Sequence, residues 1–286
     1  MCQRRQCPLC EFCTQHGEGR KWYEVMQNYS AELLNDKARQ EYIRHFIPNV
    51  QKNARTNIAK LAWIKNHFPA VYRIIRRLGT KHMKNIHFGQ VVPLEDAEKI
   101  IEMVQSITRV ACVCRSVSAG KKNDRYCFLL GIDPYGSDID FADLQCSLET
   151  ISHAKAKSLL REFDQAGLVH SIWTMKTPFI GALCNCDQDC LAYKLQVEKN
   201  LVEMMFKAEY VAEINSKLCT GCRRCQKICQ FQAITFKHGQ CSIIEQKCYG
   251  CGVCRQACTA EAIVLHPKKI LAGGCSLLVE NSAADN

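Results

Sequence analysis

Two stretches near the end of the chain, CTGCRRCQKIC (residues 219–229) and CYGCGVCRQAC (residues 248–258), repeat one cysteine spacing, C-x2-C-x2-C-x3-C. Three cysteines this close together on one loop can hold three corners of a [4Fe–4S] cube, and the fourth cysteine of each run then ligates the other cluster. The spacing therefore predicts one cluster on Cys219, Cys222, Cys225 and Cys258, and a second on Cys248, Cys251, Cys254 and Cys229.

A short apolar segment follows each cysteine run: Ala233–Phe236 after the first and Ala262–Leu265 after the second. We expect the two segments to pair as a small antiparallel sheet over the clusters. With this internal repeat, residues 209–267 resemble the bacterial two-[4Fe–4S] ferredoxin domain, which implies single-electron transfer through the cluster pair. Gln230 and Thr259 stand where that family usually has proline. Because proline has no N–H donor, this difference changes hydrogen bonding near the sulfurs, but it removes no ligand. Zinc, which also binds C-x2-C pairs, is the alternative metal.

Cysteine is unusually frequent, at 21 of 286 residues, and the N-terminal sequence contains no apolar targeting segment. Reduced thiols that bind metal are therefore a simpler expectation than a disulfide framework, and we expect a cytoplasmic protein. No stretch approaches eighteen consecutive apolar residues, so the sequence predicts no transmembrane segment.

Length and composition predict an α+β protein built from several parts. We expect an N-terminal cysteine-rich segment (residues 1–20), a basic helical region (21–108), a cysteine-containing α/β middle domain (109–205), the two-[4Fe–4S] ferredoxin domain (209–267) and a tail (268–286).

The formal net charge is +10, and most of the excess lies in the helical region, where residues 42–94 contain ten Lys or Arg and no Asp or Glu. Apolar residues at helical spacing from Asn57 to Leu78 predict a helix that ends or kinks at Pro69. We expect its apolar stripe to pack on the core and its basic face to be solvated. The alternative is a docking surface for an acidic redox partner or for anionic lipid.

Six further cysteines fall in the middle domain and are predicted to hold a third centre, with iron–sulfur or zinc: Cys112, Cys114, Cys127, Cys184, Cys186 and Cys190. If residues 110–114 are extended, the i,i+2 spacing points the first two of these thiols to one face of a strand, and the C-N-C pair at 184–186 would be arranged alike. Arg115 would offset thiolate charge. These C-x-C-R and C-N-C motifs are similar to those of multi-cluster ferredoxin-like proteins of anaerobes, which implies redox work. Packing of buried cysteines is the alternative.

The N-terminal segment contains a further group, which is predicted as a possible fourth site: Cys2, Cys7, Cys10 and Cys13, with His16 close behind. Its spacing fits an iron–sulfur cluster, a zinc knuckle or a reactive terminus equally well.

Residues 147–173 suggest an alternative to electron transfer. An amphipathic helix over Ser147–Ala166 and a strand over Leu168–Trp173 resemble the recognition helix and wing strand of winged-helix DNA-binding proteins, which implies an iron–sulfur-sensing regulator. Residues 111–208, however, carry 11 Lys+Arg against 12 Asp+Glu, whereas DNA binding needs a basic excess. No nucleophile triad, phosphate-binding glycine loop or dinucleotide fingerprint is present, so no catalytic residues are predicted. The sequence favours an electron carrier or a subunit of a redox complex over a stand-alone enzyme.

Overall fold

The computed structural model describes residues 21–133, 148–270 and 276–277, and it divides the chain into two compact units. One unit runs from Tyr23 to Phe206, and the other contains the described residues from Lys207 onward together with residues 21–22. The mixture of helices and strands is that of an α+β protein, as the sequence predicts.

The Tyr23–Phe206 unit is built on a seven-stranded sheet in the order β4-β2-β3-β6-β5-β1-β7. Its neighbouring strands are antiparallel, except that β1 and β7 are parallel. The strands are β1 (Gly89–Val91), β2 (Ile107–Val110), β3 (Cys127–Leu130), β4 (Glu149–Thr150), β5 (Val169–Thr174), β6 (Ile180–Cys186) and β7 (Met205–Phe206). The predicted boundary between residues 108 and 109 falls inside β2, so the structure joins the basic helical region and the middle domain in one unit.

The α-helices of this unit are α1 (Ala31–Leu34), α2 (Lys37–His67), α3 (Pro69–Ile86), α4 (Leu94–Met103), α5 (Val113–Ala119), α6 (His153–Gln165) and α7 (Leu191–Tyr193), and the unit also contains a 3₁₀ helix (Met26–Tyr29) and a π-helix (Lys194–Glu198). Helices α4 and α6 pack together on one face of the sheet, where the Phe163 ring of α6 lies 6.2 Å from the Phe128 ring of β3. Because side chains alternate along a strand, Cys127 and Leu129 point to the opposite face. That face looks into a large cavity whose other wall is formed by α2 and α3.

The predicted break at Pro69 is confirmed. Helix α2 ends at His67, and Pro69 begins α3 at a position where its missing N–H has no intrahelical partner to lose.

The expectation that the apolar stripe packs on the core is wrong for α3. Val71, Ile74 and Leu78 are 51%, 63% and 62% exposed. The inward face of α3 instead carries Tyr72, which is buried and whose hydroxyl donates to the carbonyl oxygen of Leu201 at 2.5 Å.

Two other local predictions need correction. The segment before Cys114 is not extended throughout, because β2 ends at Val110 and α5 begins at Val113. The predicted helix over Ser147–Ala166 is shorter, since residues 149–150 form β4 and Ser152 caps α6 by accepting from the Lys155 N–H at 3.2 Å. The strand predicted at Leu168–Trp173 is present as β5.

The second unit contains β8 (Tyr210–Ile214), α8 (Arg224–Ile228), β9 (Ile234–Lys237), β10 (Gln240–Ile243), α9 (Val253–Gln256), β11 (Ile263–Pro267), β12 (Lys269–Ile270) and β13 (Ser276–Leu277). The two apolar segments that follow the cysteine runs do not pair with each other. Strand β9 pairs with β10 in a tight hairpin, and β11 pairs with β8, which precedes the first cysteine run. Each segment therefore pairs with a strand that is not part of the sequence repeat.

Two glycines of the larger unit are expected to respond oppositely to alanine. A Cβ at Gly89 in β1 would overlap the indole of Trp173 on the paired strand, whereas a Cβ at Gly79 in α3 meets only Val202 at an ordinary 3.9 Å. Gly89→Ala should lower the free energy of unfolding by about 2 kcal/mol through overpacking. Gly79→Ala should raise it by about 0.5–1 kcal/mol, because alanine loses less entropy than glycine in a helix. Urea titration of both variants tests this, and equal effects would contradict the strand register.

Candidate metal centres

The first cysteine run of the smaller unit contributes Cys219, Cys222 and Cys225 to the lining of a small cavity. Cys258, the last cysteine of the second run, lines the same cavity. The structure thus brings together the four residues that the spacing assigns to one cluster.

The second group gathers around Cys254, which is buried. Burial raises the pKa of its thiol, and the charges of Cys251, Cys248 and Cys229 raise it further. Cys229 comes from the first run, and it in turn lies near enough to Cys248 for that charge to raise the Cys229 pKa, after the larger effect of burial. Each fourth cysteine therefore lies with the opposite run.

Backbone N–H groups point at sulfur in a pattern that the two halves share. The Ala233 N–H donates to Cys229 Sγ at 3.4 Å, and the Ala262 N–H donates to Cys258 Sγ at 3.3 Å. Gly221 and Gly250, which precede the second cysteine of each run, both have positive φ, and a Cβ at either would overlap a backbone carbonyl. The repeat seen in the sequence is therefore also a repeat of backbone conformation.

The thiols of the first group differ in their electrostatics. The N–H of Arg224 holds the pKa of the exposed Cys222 thiol below its ordinary value. Burial raises the pKa of Cys225 to about 12, and a hydrogen bond with the Cys241 thiol adds to the effect.

Cys241 belongs to none of the cysteine groups predicted from the sequence. It is buried in β10 and lines the cavity of the first cysteine group. Because it stands outside both C-x2-C runs, only the pairing of Cys241 with Phe236 across the β9–β10 hairpin reveals where it lies.

The structure also brings the six middle-domain cysteines together. Cys127 Sγ lies 3.3 Å from Cys112 Sγ, and Cys127 is paired with Cys184 across β3 and β6. Hydrogen bonds between thiols continue the series from Cys184 to Cys186, from Cys186 to Cys190, and from Cys190 to Cys114. We call this series the thiol string; its members are Cys112, Cys127, Cys184, Cys186, Cys190 and Cys114.

Three kinds of local structure position the string. Cys127, Cys184 and Cys186 lie on strands and share a face through the two-residue period, as predicted for the C-N-C pair. Cys112 stands just before α5, where its Sγ accepts the Tyr126 N–H at 3.0 Å, and Cys114 lies within α5. Because the C-x-C pair at Cys112 spans a helix start, its two thiols reach different neighbours.

Most of the string is held protonated in the absence of metal. The hydrogen bond with Cys127, and then burial, raise the pKa of Cys112 far above its ordinary value. The pKa of Cys114 is raised by its hydrogen bond with Cys190 and by burial. Cys190 is the opposite case, because hydrogen bonds from Cys114 and Cys186 and from the N–H groups of Tyr193 and Ala192 lower its pKa. Binding to a cationic metal core would deprotonate the thiols.

Arg115 stands next to the string and is almost entirely buried. Its Nη1 lies 3.2 Å from Asp124 Oδ2 and 3.0 Å from Asp187 Oδ2, and its guanidinium carbon is 4.4 Å from the Tyr126 ring centre. Burial lowers the Arg115 pKa, but the charges of Asp187 and of Cys112 outweigh it and raise the pKa overall. Its Nη2 is buried without a hydrogen-bond partner among the described residues. The unsatisfied Nη2 donor and the six thiols would suit a bound group that is negatively charged and rich in sulfur.

His87 is a second polar group beside the thiol string, in a stretch of sequence too irregular to predict a ligand. Its Nδ1 donates to the Thr174 carbonyl oxygen at 2.7 Å, and its ring stacks on Trp173 with centres 5.0 Å apart. Burial lowers the His87 pKa to about 4, so the ring is neutral and its Nε2 carries a lone pair. His87 lines the same cavity as the thiol string.

All fifteen cysteines that the structure describes are free thiols. Within residues 21–133 and 148–268, no three Cys, His, Asp or Glu side chains are grouped as a single-ion site. The predicted N-terminal group of Cys2, Cys7, Cys10, Cys13 and His16 lies outside the described residues, as does Cys146.

The segment that resembles a winged helix has a different environment. All six residues of β5 are buried, and the strand lies between β6 and β1 in the sheet. A wing strand that contacts DNA needs a solvent-exposed face, which β5 lacks.

No helix in the described ranges is long and apolar enough to cross a membrane. No curated protein matches the chain. Residues 212–235, which contain the whole first cysteine run, match the model of the 4Fe-4S binding domain, so this part of the chain is similar to iron–sulfur electron-transfer domains.

Proposed function

We propose that this protein transfers single electrons through two ferredoxin-type [4Fe–4S] clusters and a third metal centre on the thiol string, in exchange with a redox partner. The observation that carries the ferredoxin part is the position of Cys258, which lines the cavity of the first cysteine run. A zinc ribbon binds its ion with its own four ligands, whereas exchange of the fourth ligand between two runs is the mark of the two-cluster domain.

A bound [4Fe–4S] cluster would supply the one-electron chemistry. The protein groups around the cluster would set its reduction potential. The N–H groups of Ala233 and Ala262 donate to sulfur, and four basic residues lie in or beside the ligand runs: Arg223, Arg224, Lys227 and Arg255. Both features favour the more negative, reduced state, and they therefore raise the reduction potential.

The thiol string supports a third centre for three reasons. Four cysteines suffice for a cubic cluster, and the string offers six. Its thiols lie in contact, although about seventy residues separate the groups in sequence. The buried Nη2 of Arg115 offers a hydrogen bond to sulfur that no described protein atom accepts. Nothing in the structure favours the alternative of a DNA-binding regulator.

The exposed face of α3 is our candidate for the docking surface of the partner. We call it the α3 face; it consists of Val71, Ile74 and Leu78, with Arg73 and Arg77 beside them. An apolar stripe flanked by arginines has the composition of an interface core with a charged rim, and it complements an acidic partner. Other residues of α3, among them Met83 and Ile86, line the cavity that contains the thiol string, so a partner docked on this helix would lie near that cavity.

Exchange of the fourth ligand predicts which cluster each mutation damages. Cys229→Ser should impair the cluster of Cys248, Cys251 and Cys254 and leave the other cluster nearer to intact. Cys258→Ser, the matched control, should do the reverse. Electron paramagnetic resonance of the reduced variants measures both clusters. If Cys229→Ser removed the signal of the Cys219 group instead, the ligand assignment would be overturned.

Iron and sulfide content tests the third centre. The anaerobically purified chain should contain about twelve iron atoms, four of them on the thiol string. Replacing Cys112, Cys114, Cys184 and Cys186 with Ser should lower the content to about eight while the ferredoxin signals persist. Cys146→Ser, at a cysteine that no predicted group contains, is the control and should change nothing. Zinc at the string would preserve the fold but contradict its redox role.

Charge reversal tests the α3 face. Arg73→Glu with Arg77→Glu should slow electron transfer to a small acidic flavodoxin, used as the probe, about tenfold at low salt and less at high salt. Lys122→Glu with Lys155→Glu is the control, because it makes the same charge change at exposed positions elsewhere. Equal rates in the two variants would contradict the proposal. Tight binding to phosphatidylglycerol vesicles, lost only in the α3 variant, would assign the face to a membrane.

A further inference from the structure

The cavity next to the thiol string is far larger than a cysteine site needs. Its volume is about 680 Å³, which lies in the range of pockets that bind organic ligands. Both Tyr42 and Leu61 of α2 line it, and that stretch of helix is about 28 Å long. The six thiols are linked each to the next along the string, and they occupy one part of the wall. The cavity is therefore elongated and extends well beyond the string.

The rest of the wall is hydrophobic and carries almost no charge. Apolar side chains come from both helices and from the sheet, among them Phe46, Val50, Met83, Leu129 and Trp173. The described lining contains no Lys, Asp or Glu, and Asp124 and Asp187 balance the charge of Arg115. An uncharged molecule with a hydrocarbon body suits this lining, and an anion or cation does not.

A few polar groups interrupt the hydrophobic wall. Asn49, Asn53 and Asn57 line the cavity at successive i,i+4 positions of α2, where all three residues are exposed. Asparagine amides donate to carbonyl oxygens. His87 also lines the cavity, and its Nε2 can accept a hydrogen bond from a hydroxyl group. The wall can thus bind both a carbonyl and the hydroxyl into which a carbonyl is reduced.

From these features we infer that the cavity binds a quinone-type molecule, that is, an uncharged ring with carbonyl groups and a hydrocarbon tail. The hydrophobic walls would hold the ring and the tail, and the amides of α2 would orient the carbonyls. The choice of a redox-active molecule rests on the proposed electron-transfer function, since a one-electron centre on the string would border the same cavity.

Filling the cavity is the test. The probe is decylubiquinone, added to the full-length, cluster-loaded protein and measured by isothermal titration calorimetry. Ala54→Trp places an indole in the cavity from α2 and should weaken binding by at least about tenfold. Ala59→Trp makes the same substitution at an exposed position of the same helix and should bind as the wild type does. Decanoate, which has a similar chain length but carries a charge, should bind more weakly than decylubiquinone.

A second variant keeps the inference testable if Ala54→Trp does not fold. Asn53→Leu preserves side-chain size and removes one amide, so it should lower decylubiquinone affinity while iron content stays unchanged. Absence of binding to the wild type, or equal binding in Ala54→Trp and Ala59→Trp, would overturn the inference. The proposed third centre fails separately, if the variant lacking Cys112, Cys114, Cys184 and Cys186 contains as much iron as the wild type.

Discussion

The register of β3 against β6 is the constraint on which the larger unit depends. With Cys127 opposite Cys184 and Leu129 opposite Ala182, the sheet turns these four side chains to the face that lines the cavity. The other face is left with bulky groups such as Phe128, which pack on α6. A shift of one residue would exchange the two faces and place the thiols in the core against α6. The cavity and the thiol string therefore follow from a single pairing of strands.

The sequence was informative where spacing along the chain determines structure. The C-x2-C-x2-C-x3-C runs indicated which cysteines meet, Pro69 marked the helix boundary, and the C-N-C pair pointed to a strand with both thiols on one face. The helix boundary and the C-N-C pair depend on residues close together in the chain, so local geometry is enough to predict them. The meeting of Cys258 with the first run joins distant residues, and it was predictable because the repeated spacing is typical of two clusters that exchange their fourth ligands.

The sequence was misleading or silent where contacts between distant residues decide the outcome. The apolar segments after the two cysteine runs looked like partners, but β8 and β10 compete for them. The stripe on α3 had the periodicity of a buried face, yet the anchoring of Tyr72 to Leu201 fixed the opposite face inward. Cys241 reaches its site through strand pairing, and His87 is held at its site by a hydrogen bond to the carbonyl oxygen of Thr174, far away in sequence. No local pattern reports such contacts.

The proposed third centre on the thiol string would have a consequence for how the protein withstands oxygen. Neighbouring thiols in contact can be joined as disulfides after small movements, and each disulfide removes two ligands at once. Six thiols less one pair leaves four, which is still a complete set for one cube. Loss of a second pair would leave two, too few for a cube. In the proposed third centre, the two thiols beyond the minimum would thus act as a reserve that allows the centre to survive one oxidation event and be rebuilt without new protein synthesis.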